Sequence, residues 1–178
     1  MRKIVYYVAT SLDGFIAGPD GDISGFMQAG DGVEKYQKDL ADFDTVIMGR
    51  ATYEFGYQYG LPPGAKAYPH MEHYIFSDSL KFEGEDVAVN VCKRDIQIVQ
   101  DLKVQNGTDI YLCGGGIFAN WLLQNKLIDI VKIKLNPFLQ GEGTPLFAGL
   151  KDQYQLSLLE SERYEGGLQI MSYRVDYG

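Results

Sequence analysis

Two junctions in the chain join a strand-like run to a helix-like run through glycine. At one of them, the apolar run 110–113 is followed by Gly114, Gly115 and Gly116 and then by the helix-like run 117–123. Glycine has no Cβ, so backbone N–H groups can approach a phosphate there, and a helix N-terminus adds about half a positive charge. A tight turn that binds nothing explains the same residues, and the G-x-G-x-x-G fingerprint is not completed. The junction is therefore a candidate phosphate site.

The other junction is Gly49–Arg50, which ends the buried run 44–49. Arg50 occupies the first turn of the helix that follows, and Thr52 adds a hydroxyl. Arginine carries a permanent, forked cation that suits a phosphate monoester, although a surface arginine at a helix start is the simpler interpretation. Two such junctions could hold the two ends of a dinucleotide, with the pyrophosphate at one and the adenosine ribose at the other.

The segments around these junctions alternate between strand and helix patterns, which predicts an α/β fold. Strands are predicted at 3–10, 44–49, 73–77, 87–91, 109–113 and 129–137, and helices at 33–43, 50–57, 94–103 and 116–125. Asp31 is predicted to cap the first helix, after a long loop at 11–32 that we expect to be functional or mobile. The final third predicts two strands, 154–164 and 168–177, joined in a hairpin at Glu165-Gly166-Gly167.

Length, charge and composition narrow the functional classes. The 178 residues suit a single domain spanning 1–178, and the net charge of −8 without long charged runs argues against a nucleic acid or an anionic membrane as partner. The chain's two histidines and two cysteines assemble neither a zinc cluster nor a Cys–His pair, so no metal is expected. The N-terminus enters a strand at once, without the layout of a signal peptide, and no apolar stretch has the length of a membrane span. We therefore expect a cytoplasmic protein.

Four motifs, in matching order, resemble known families across essentially the whole chain. Val-Ile-Met-Gly-Arg-x-Thr-Tyr-Glu at 46–54 resembles the adenosine-site motif of dihydrofolate reductases, and Cys-Gly-Gly-Gly-Ile-Phe at 113–118 resembles the pyrophosphate motif of that fold. Ser-Leu-Asp-Gly-Phe-Ile-Ala at 11–17 and Pro-x-x-x-Gly-x-Gly-x-Pro-Leu-Phe at 137–147 resemble the reductase domain of the riboflavin-biosynthesis deaminase–reductase. By this resemblance the chain is a stand-alone domain of the RibD C-terminal type.

The resemblance implies a dihydrofolate-reductase-like three-layer α/β/α fold, with a mixed, mainly parallel sheet that ends in a C-terminal antiparallel hairpin. It also implies NADPH as cofactor, a small heterocyclic substrate and a homodimer. The implied cofactor contacts are Ala9 and Ile16 at the nicotinamide carboxamide; Gly49, Arg50, Ala51, Thr52 and Ser77 at the adenosine phosphates, with Arg50 on the 2′-phosphate; and Gly114, Gly115, Gly116, Ile117 and Phe118 at the pyrophosphate and nicotinamide ribose.

The chain also departs from both families. The zinc deaminase signature is missing, and Val33 stands near the position where dihydrofolate reductases carry a carboxylate in the first helix. The adjacent Glu34 is a candidate proton donor or a residue of a solvated helix face. Asp13 is a candidate to hydrogen-bond an amino-pyrimidine edge, or a residue that shapes the turn before Gly14.

The resulting hypothesis is an NADPH-dependent reductase of a pyrimidine or pteridine. The closest reaction is that of 5-amino-6-(5-phosphoribosylamino)uracil reductase of riboflavin biosynthesis. The alternatives are dihydrofolate reduction and a sensor module that binds NADPH without turnover.

Overall fold

The computed structural model describes residues 1–83 and 87–178. Its strands are β1 (Ile4–Thr10), β2 (Phe15–Ala17), β3 (Thr45–Gly49), β4 (Glu72–Phe76), β5 (Asn90–Cys92), β6 (Ile110–Gly114), β7 (Ile130–Leu135), β8 (Thr144–Pro145), β9 (Gln155–Arg163) and β10 (Gln169–Asp176). Its α-helices are α1 (Asp31–Leu40), α2 (Arg50–Phe55), α3 (Ile96–Val104) and α4 (Gly116–Gln124).

In the part of the chain that is described, the main sheet has eight strands in the order β5-β4-β3-β6-β1-β7-β10-β9. The six strands from β5 to β7 run parallel, whereas β10 runs antiparallel to both β7 and β9. The order of the strands places β3, β6 and β1 side by side at the centre of the sheet. The prediction of a mainly parallel sheet with a C-terminal antiparallel hairpin is confirmed.

The two faces of the sheet carry separate hydrophobic cores, because side chains alternate along each strand. Tyr6 of β1 packs into one core with residues of α3 and α4, including Val99. The next residue, Tyr7, packs into the other core with Leu40 of α1 and Tyr53 of α2. Helices therefore cover both faces, and the predicted three-layer arrangement is confirmed.

The first helix differs from its prediction at both ends. It was predicted at 33–43 with Asp31 as cap, but Gly30 holds the cap position and Asp31 is the first helical residue. Gly30 has φ +110°, which glycine adopts without a Cβ clash, so the chain enters the helix earlier than a side-chain cap would allow. The helix ends at Leu40, because the amide of Phe43 bonds three residues back to the Leu40 carbonyl at 3.3 Å and forms a tighter turn.

Other predicted boundaries also move. The segment predicted as a strand at 87–91 contains only the first residues of β5, and the strand predicted at 129–137 is shorter at both ends, as Ile130–Leu135. The helix predicted at 50–57 stops at Phe55 and continues as a 3₁₀ turn over Gly56–Tyr59.

The predicted loop at 11–32 contains a strand that the sequence did not indicate. β2 lies within it and pairs antiparallel with β8, with Phe15 opposite Pro145 and Ala17 opposite Thr144. The two partners are only two and three residues long and lie far apart in sequence, so no local periodicity could reveal them. This small ribbon brings the first loop against residues 144–148.

Among residues 1–83 and 87–178, no helix has the length and apolar composition needed to cross a membrane. In the same residues, no three His, Cys, Asp or Glu side chains come together in a group that could hold a metal ion.

Candidate functional site

A cavity of about 940 Å³ lies at the carboxyl ends of the parallel strands β1, β3, β4 and β6. In open α/β sheets this edge is where ligands bind, and the volume is at the upper end of the range for small-molecule sites. Ten predicted cofactor residues line it: Ile16, Gly49, Arg50, Ala51, Thr52, Ser77, Gly115, Gly116, Ile117 and Phe118. The other two predicted residues do not line the cavity: Ala9 follows the lining residue Val8, and Gly114 lies between the lining residues Cys113 and Gly115.

The two glycine junctions lie next to each other in this cavity. A Cβ built on Gly115 would lie 3.0 Å from Oγ1 of Thr52, and one built on Gly49 would lie 3.3 Å from Cβ of Phe118. A Cβ on Gly116 would lie 2.3 Å from the carbonyl oxygen of Pro145, so the start of α4 requires glycine to pack against the end of β8. The peptide bond between Gly114 and Gly115 is cis.

One part of the cavity, the arginine end, is formed by Arg50, Ser77, Ser79 and Arg94. These residues follow β3, β4 and β5, whose registers place their last residues side by side. Arg50 donates from Nε to Glu54 at 2.8 Å and from Nη1 to Oγ of Ser79 at 2.8 Å, and nearly half of its side chain is exposed. This arrangement presents a cation and two hydroxyls to solvent at the mouth of the cavity.

Ser79 and Arg94, which line this end of the cavity, were not among the cofactor residues predicted from the sequence. Ser79 lies two residues beyond the predicted Ser77, whose Oγ accepts from the Ser79 amide at 3.2 Å. Arg94 follows the three-residue strand β5, which was placed too early in the chain. A correct boundary for β5 would have pointed to Arg94, because residues that follow parallel strands meet at one edge of the sheet.

A second part of the cavity, the tyrosine end, is lined by Tyr68 and Cys113, neither of which was among the predicted site residues. The Tyr68 hydroxyl lies 3.6 Å from Sγ of Cys113, and the hydroxyls of Tyr36 and Tyr111 lie 2.8 Å apart behind them. The Tyr68 ring meets the Tyr111 ring edge-on at a centroid distance of 5.6 Å. Three phenols and a thiol thus form one polar cluster against the sheet.

Asp13 lies outside the cavity lining, and its carboxylate is occupied. It accepts from the backbone amides of Gln140 at 3.0 Å and Gly141 at 2.7 Å, and from the Ser11 hydroxyl at 2.5 Å. These hydrogen bonds, the one from Gln140 first, lower the pKa of Asp13 to about 2. Asp13 therefore ties the first loop to the segment before β8, and its predicted role at an amino-pyrimidine edge stays a prediction that this position does not favour.

Glu34 is exposed on α1 and does not line the cavity, so it belongs to the solvated face of the helix. The carboxylate that α1 turns inward is Asp39, which accepts from Lys35 at 2.5 Å, Lys132 at 2.7 Å and the Tyr7 hydroxyl at 3.0 Å. Burial raises its pKa, but the hydrogen bonds from the two lysines outweigh that effect and hold the pKa below its usual value. The proton donor predicted at Glu34 is therefore not supported by its position.

The sequence is similar to known proteins over almost its full length. A model of the RibD C-terminal domain matches residues 2–170. The uncharacterized protein YwjB of Bacillus subtilis (strain 168) is 30% identical over 172 residues, which cover 95% of this chain and 96% of YwjB.

Solved structures with the same fold include reductases of two kinds. A putative riboflavin biosynthesis protein from Shewanella sp. PV-4 has a TM-score of 0.80 at 25% identity and covers 99% of this chain and 100% of its own. The deaminase/5-amino-6-(5-phosphoribosylamino)uracil reductase of Thermotoga maritima has a TM-score of 0.70 at 18% identity, covering 98% of this chain and 57% of its own. Dihydrofolate reductase from Enterococcus faecalis has a TM-score of 0.65 at 13% identity over 98% and 97% of the two chains. The predicted dihydrofolate-reductase-like fold is confirmed.

His73 supports the tyrosine end and generates a testable pH dependence of stability. Its Nε2 accepts a hydrogen bond from the Tyr68 amide at 3.2 Å, and its Nδ1 lies 3.1 Å from the Met71 carbonyl, to which it donates. Because a nitrogen that accepts carries no proton, this pair of hydrogen bonds requires the neutral imidazole. Burial lowers the pKa of His73 in the folded protein, so below about pH 6.5 the unfolded chain takes up a proton that the folded chain resists. The free energy of unfolding should therefore fall as the pH falls through this range.

We expect His73→Gln to lower the free energy of unfolding at pH 7.5 by about 1–3 kcal/mol and to flatten its decline between pH 7.5 and 5. Urea denaturation at several pH values measures both effects. His70→Gln is the comparison variant, because His70 is exposed and its Nε2 lies 3.1 Å from the Leu40 carbonyl, and its stability should decline more steeply with falling pH than that of His73→Gln. Equal slopes for wild type and His73→Gln would contradict the assignment.

Proposed function

The chain belongs to the RibD C-terminal domain family, and from this membership and the site geometry we propose that it is an NADPH-dependent reductase of a pyrimidine- or pteridine-type small molecule. The reaction we propose as most similar is the reduction of 5-amino-6-(5-phosphoribosylamino)uracil, for which the Thermotoga maritima deaminase/reductase is named. The observation that carries the proposal is the pairing of two strand–glycine–helix junctions around one cavity, with Arg50 at its mouth.

The residues of the cavity fit a phosphorylated dinucleotide. Gly115 and Gly49 have no side chains, so the gap between the two junctions stays open. A Cβ at either position would fill part of that gap. The arginine end offers a guanidinium beside the hydroxyls of Ser77 and Ser79, a combination that suits a phosphate monoester such as the 2′-phosphate of NADPH. The bound cofactor would supply the hydride, while the protein binds, orients and shields the reactants.

The ribbon of β2 and β8 supplies the shielding. Ile16 and Ala17 of β2 and Thr144 of β8 all line the cavity, so their pairing forms one of its walls. A Cβ on Gly143 would lie 2.1 Å from the Ala17 carbonyl oxygen, which shows how closely the two segments approach. Excluding water on this side favours hydride transfer over side reactions in the proposed enzyme.

We further propose a homodimer, as the resemblance implies. β9 is an edge strand of the sheet and exposes Leu156, Leu158 and Leu159. An exposed apolar edge strand is a surface that a second strand can cover. The cytoplasmic location, and the expectation that neither nucleic acid nor membrane is a partner, remain predictions from composition.

A non-catalytic NADPH sensor is the second candidate, and one observation favours it. Neither Asp13 nor Glu34 enters the cavity, so neither carboxylate that the sequence nominated is placed to deliver a proton. Stopped-flow measurement of NADPH oxidation in the presence of candidate pyrimidines and pteridines separates the two. Oxidation that depends on the heterocycle supports a reductase, and tight NADPH binding without oxidation supports a sensor.

We expect Arg50 to carry the preference for NADPH over NADH. Arg50→Ala should raise the dissociation constant for NADPH about ten- to hundredfold, because a charge-assisted hydrogen bond contributes about 1.5–3 kcal/mol, and should change NADH binding little. Fluorescence titration of both cofactors measures this. Arg163→Ala, on β9, is the matched control and should bind both cofactors like the wild type. Equal losses for NADPH and NADH in Arg50→Ala would rule out the 2′-phosphate contact.

Replacing Gly115 or Gly116 by alanine should affect different properties, NADPH binding in the first case and stability in the second. Gly115→Ala should keep the wild-type melting temperature, because its backbone is extended and the nearest neighbour is a hydroxyl that can rotate, but should weaken NADPH binding at least tenfold. Gly116→Ala should lower the free energy of unfolding by about 1–3 kcal/mol, because its Cβ meets a carbonyl oxygen at 2.3 Å. Thermal melts and NADPH titration measure both variants. Near-normal NADPH binding by Gly115→Ala would mean that the glycines only form a turn.

We expect weak or absent turnover of dihydrofolate. Protonation of the pterin ring needs a well-placed acid, a contribution of about 10²–10⁴ in rate, and the inward carboxylate of α1, Asp39, is bound by two lysines. Dihydrofolate and the ribosylamino-pyrimidine should be assayed side by side at saturating NADPH. A dihydrofolate kcat near the enzyme median of about 10 s⁻¹ that is lost in Asp39→Asn or Glu34→Gln would overturn this expectation.

A further inference from the structure

The tyrosine end of the cavity has a chemical character that the family resemblance did not indicate. Tyr68 and Cys113 line it, and Tyr111 and Tyr36 stand behind them in the second hydrophobic core. None of the four side chains was among the predicted site residues. Their polar atoms are nevertheless linked by short separations: 3.6 Å from Tyr68 to Cys113 and 2.8 Å from Tyr36 to Tyr111.

These four groups are neutral. Burial raises the pKa of Tyr68, Tyr111 and Tyr36 above the usual phenol value, and it raises the pKa of the Cys113 thiol, which hydrogen bonds to Tyr68 and Tyr111 only partly offset. Each group therefore keeps its proton at neutral pH.

The charged groups around the cluster lie outside it. Lys134, on β7, places its ammonium 4.9 Å from the centroid of the Tyr36 ring, and burial lowers its pKa. Asp39, on α1, is bound by Lys35, Lys132 and Tyr7. The arginines that line the cavity, Arg50 and Arg94, belong to the arginine end, and the two lining carboxylates, Asp20 and Asp78, follow β2 and β4. The tyrosine end thus presents neutral hydrogen-bonding groups to a ligand.

A hydroxyl or thiol has one proton to donate, so the hydrogen bonds of the cluster run in one direction from donor to acceptor. When the Cys113 thiol donates to the Tyr68 oxygen, the Tyr68 proton is left to point into the cavity. His73 holds this ring in place: it accepts from the Tyr68 amide, and its ring stacks on the Tyr68 ring at a centroid distance of 5.9 Å. A donor held in this way before binding loses little conformational entropy when a ligand arrives.

We propose that Tyr68 donates a hydrogen bond from its hydroxyl to an uncharged acceptor atom, a carbonyl oxygen or a ring nitrogen, of the heterocycle that the protein reduces. This inference rests on the proposed function and specifies its substrate class as a neutral heterocycle at the tyrosine end. A hydride supplied by bound NADPH would add to the substrate carbon, and the π electron pair of its double bond would move to the heteroatom. The proton of the Tyr68 hydroxyl then passes to that heteroatom, and the phenolate regains a proton from the Cys113 thiol, which water reprotonates.

The test is Tyr68→Phe, which removes one oxygen atom and keeps the ring against Tyr111 and His73. The matched control is Tyr154→Phe, because Tyr154 packs against the other core, away from the cavity. Uracil and pterin serve as neutral probes, with binding measured by calorimetry in the presence of saturating NADP⁺. NADPH binding and circular dichroism report on the cofactor half of the site and on the fold.

We expect Tyr68→Phe to raise the dissociation constant of the probe that binds about five- to thirtyfold, and to lower the kcat of NADPH oxidation about a hundredfold. Its affinity for NADPH should stay within twofold of the wild-type value, and Tyr154→Phe should match the wild type in every measurement. Iodoacetamide should alkylate Cys113 more slowly when the probe is bound, because the thiol lies beside Tyr68. Cys92→Ser removes the other thiol so that the rate reports on Cys113 alone.

The outcomes separate the two proposals. Wild-type probe affinity in a folded Tyr68→Phe variant, or failure of the wild type to bind either probe at millimolar concentration, overturns the role of Tyr68 while leaving NADPH-dependent reduction to its own assay. Probe binding that depends on Tyr68 without any NADPH oxidation supports the role of Tyr68 in recognition and overturns both its proton transfer and the reductase proposal. Loss of NADPH affinity in Tyr68→Phe, together with loss of probe binding, would overturn the division of the cavity into two ends.

Discussion

The close approach of α4 to the loop after β8 is the constraint on which the site depends. Gly116 opens the helix with no room for a side chain beside the Pro145 carbonyl, and its own carbonyl accepts from the Ala148 amide at 3.1 Å. Because β8 pairs with β2, the same contact fixes the wall that carries Ile16. The glycines therefore serve two purposes: they leave space for a ligand on one side of the junction and close the cavity on the other.

Charge is distributed along the cavity in a way that follows from the strand order. The ends of β3, β4 and β5 lie side by side and carry Arg50, Ser77 and Arg94, whereas the end of β6 carries Cys113 beneath Tyr68. In a protein of net charge −8, the arginine end supplies the local cation that a polyanionic ligand requires. In the proposed reductase, NADPH would place its adenosine phosphates at Arg50, and the substrate ring would lie towards Tyr68.

The parts of the molecule that the sequence predicted are those with local signals. The strand–glycine–helix junctions and the C-terminal hairpin each occupy a short stretch whose residue types limit the backbone, and four ordered motifs added the family. The β2–β8 pair, Tyr68 and Arg94 were missed because they depend on contacts between distant segments or on a strand boundary that periodicity places only loosely. Asp13 and Glu34 were nominated for their chemistry, but a carboxylate functions only where the fold directs it, and backbone amides or solvent surround these two.

The polar cluster and the inward carboxylate show how this fold keeps charge away from the tyrosine end of the cavity. Asp39 faces the core of the molecule, where two lysines and Tyr7 satisfy it and keep it ionised. A carboxylate bound in this way is a poor proton donor, since its proton would have to displace two ion pairs. Tyr36 lies edge-on to Tyr7 at a centroid distance of 4.8 Å, and its hydroxyl lies 2.8 Å from that of Tyr111. The groups that line the cavity on this side, the Tyr68 phenol and the Cys113 thiol, hold their protons at neutral pH and are suited to the uncharged ring of a substrate.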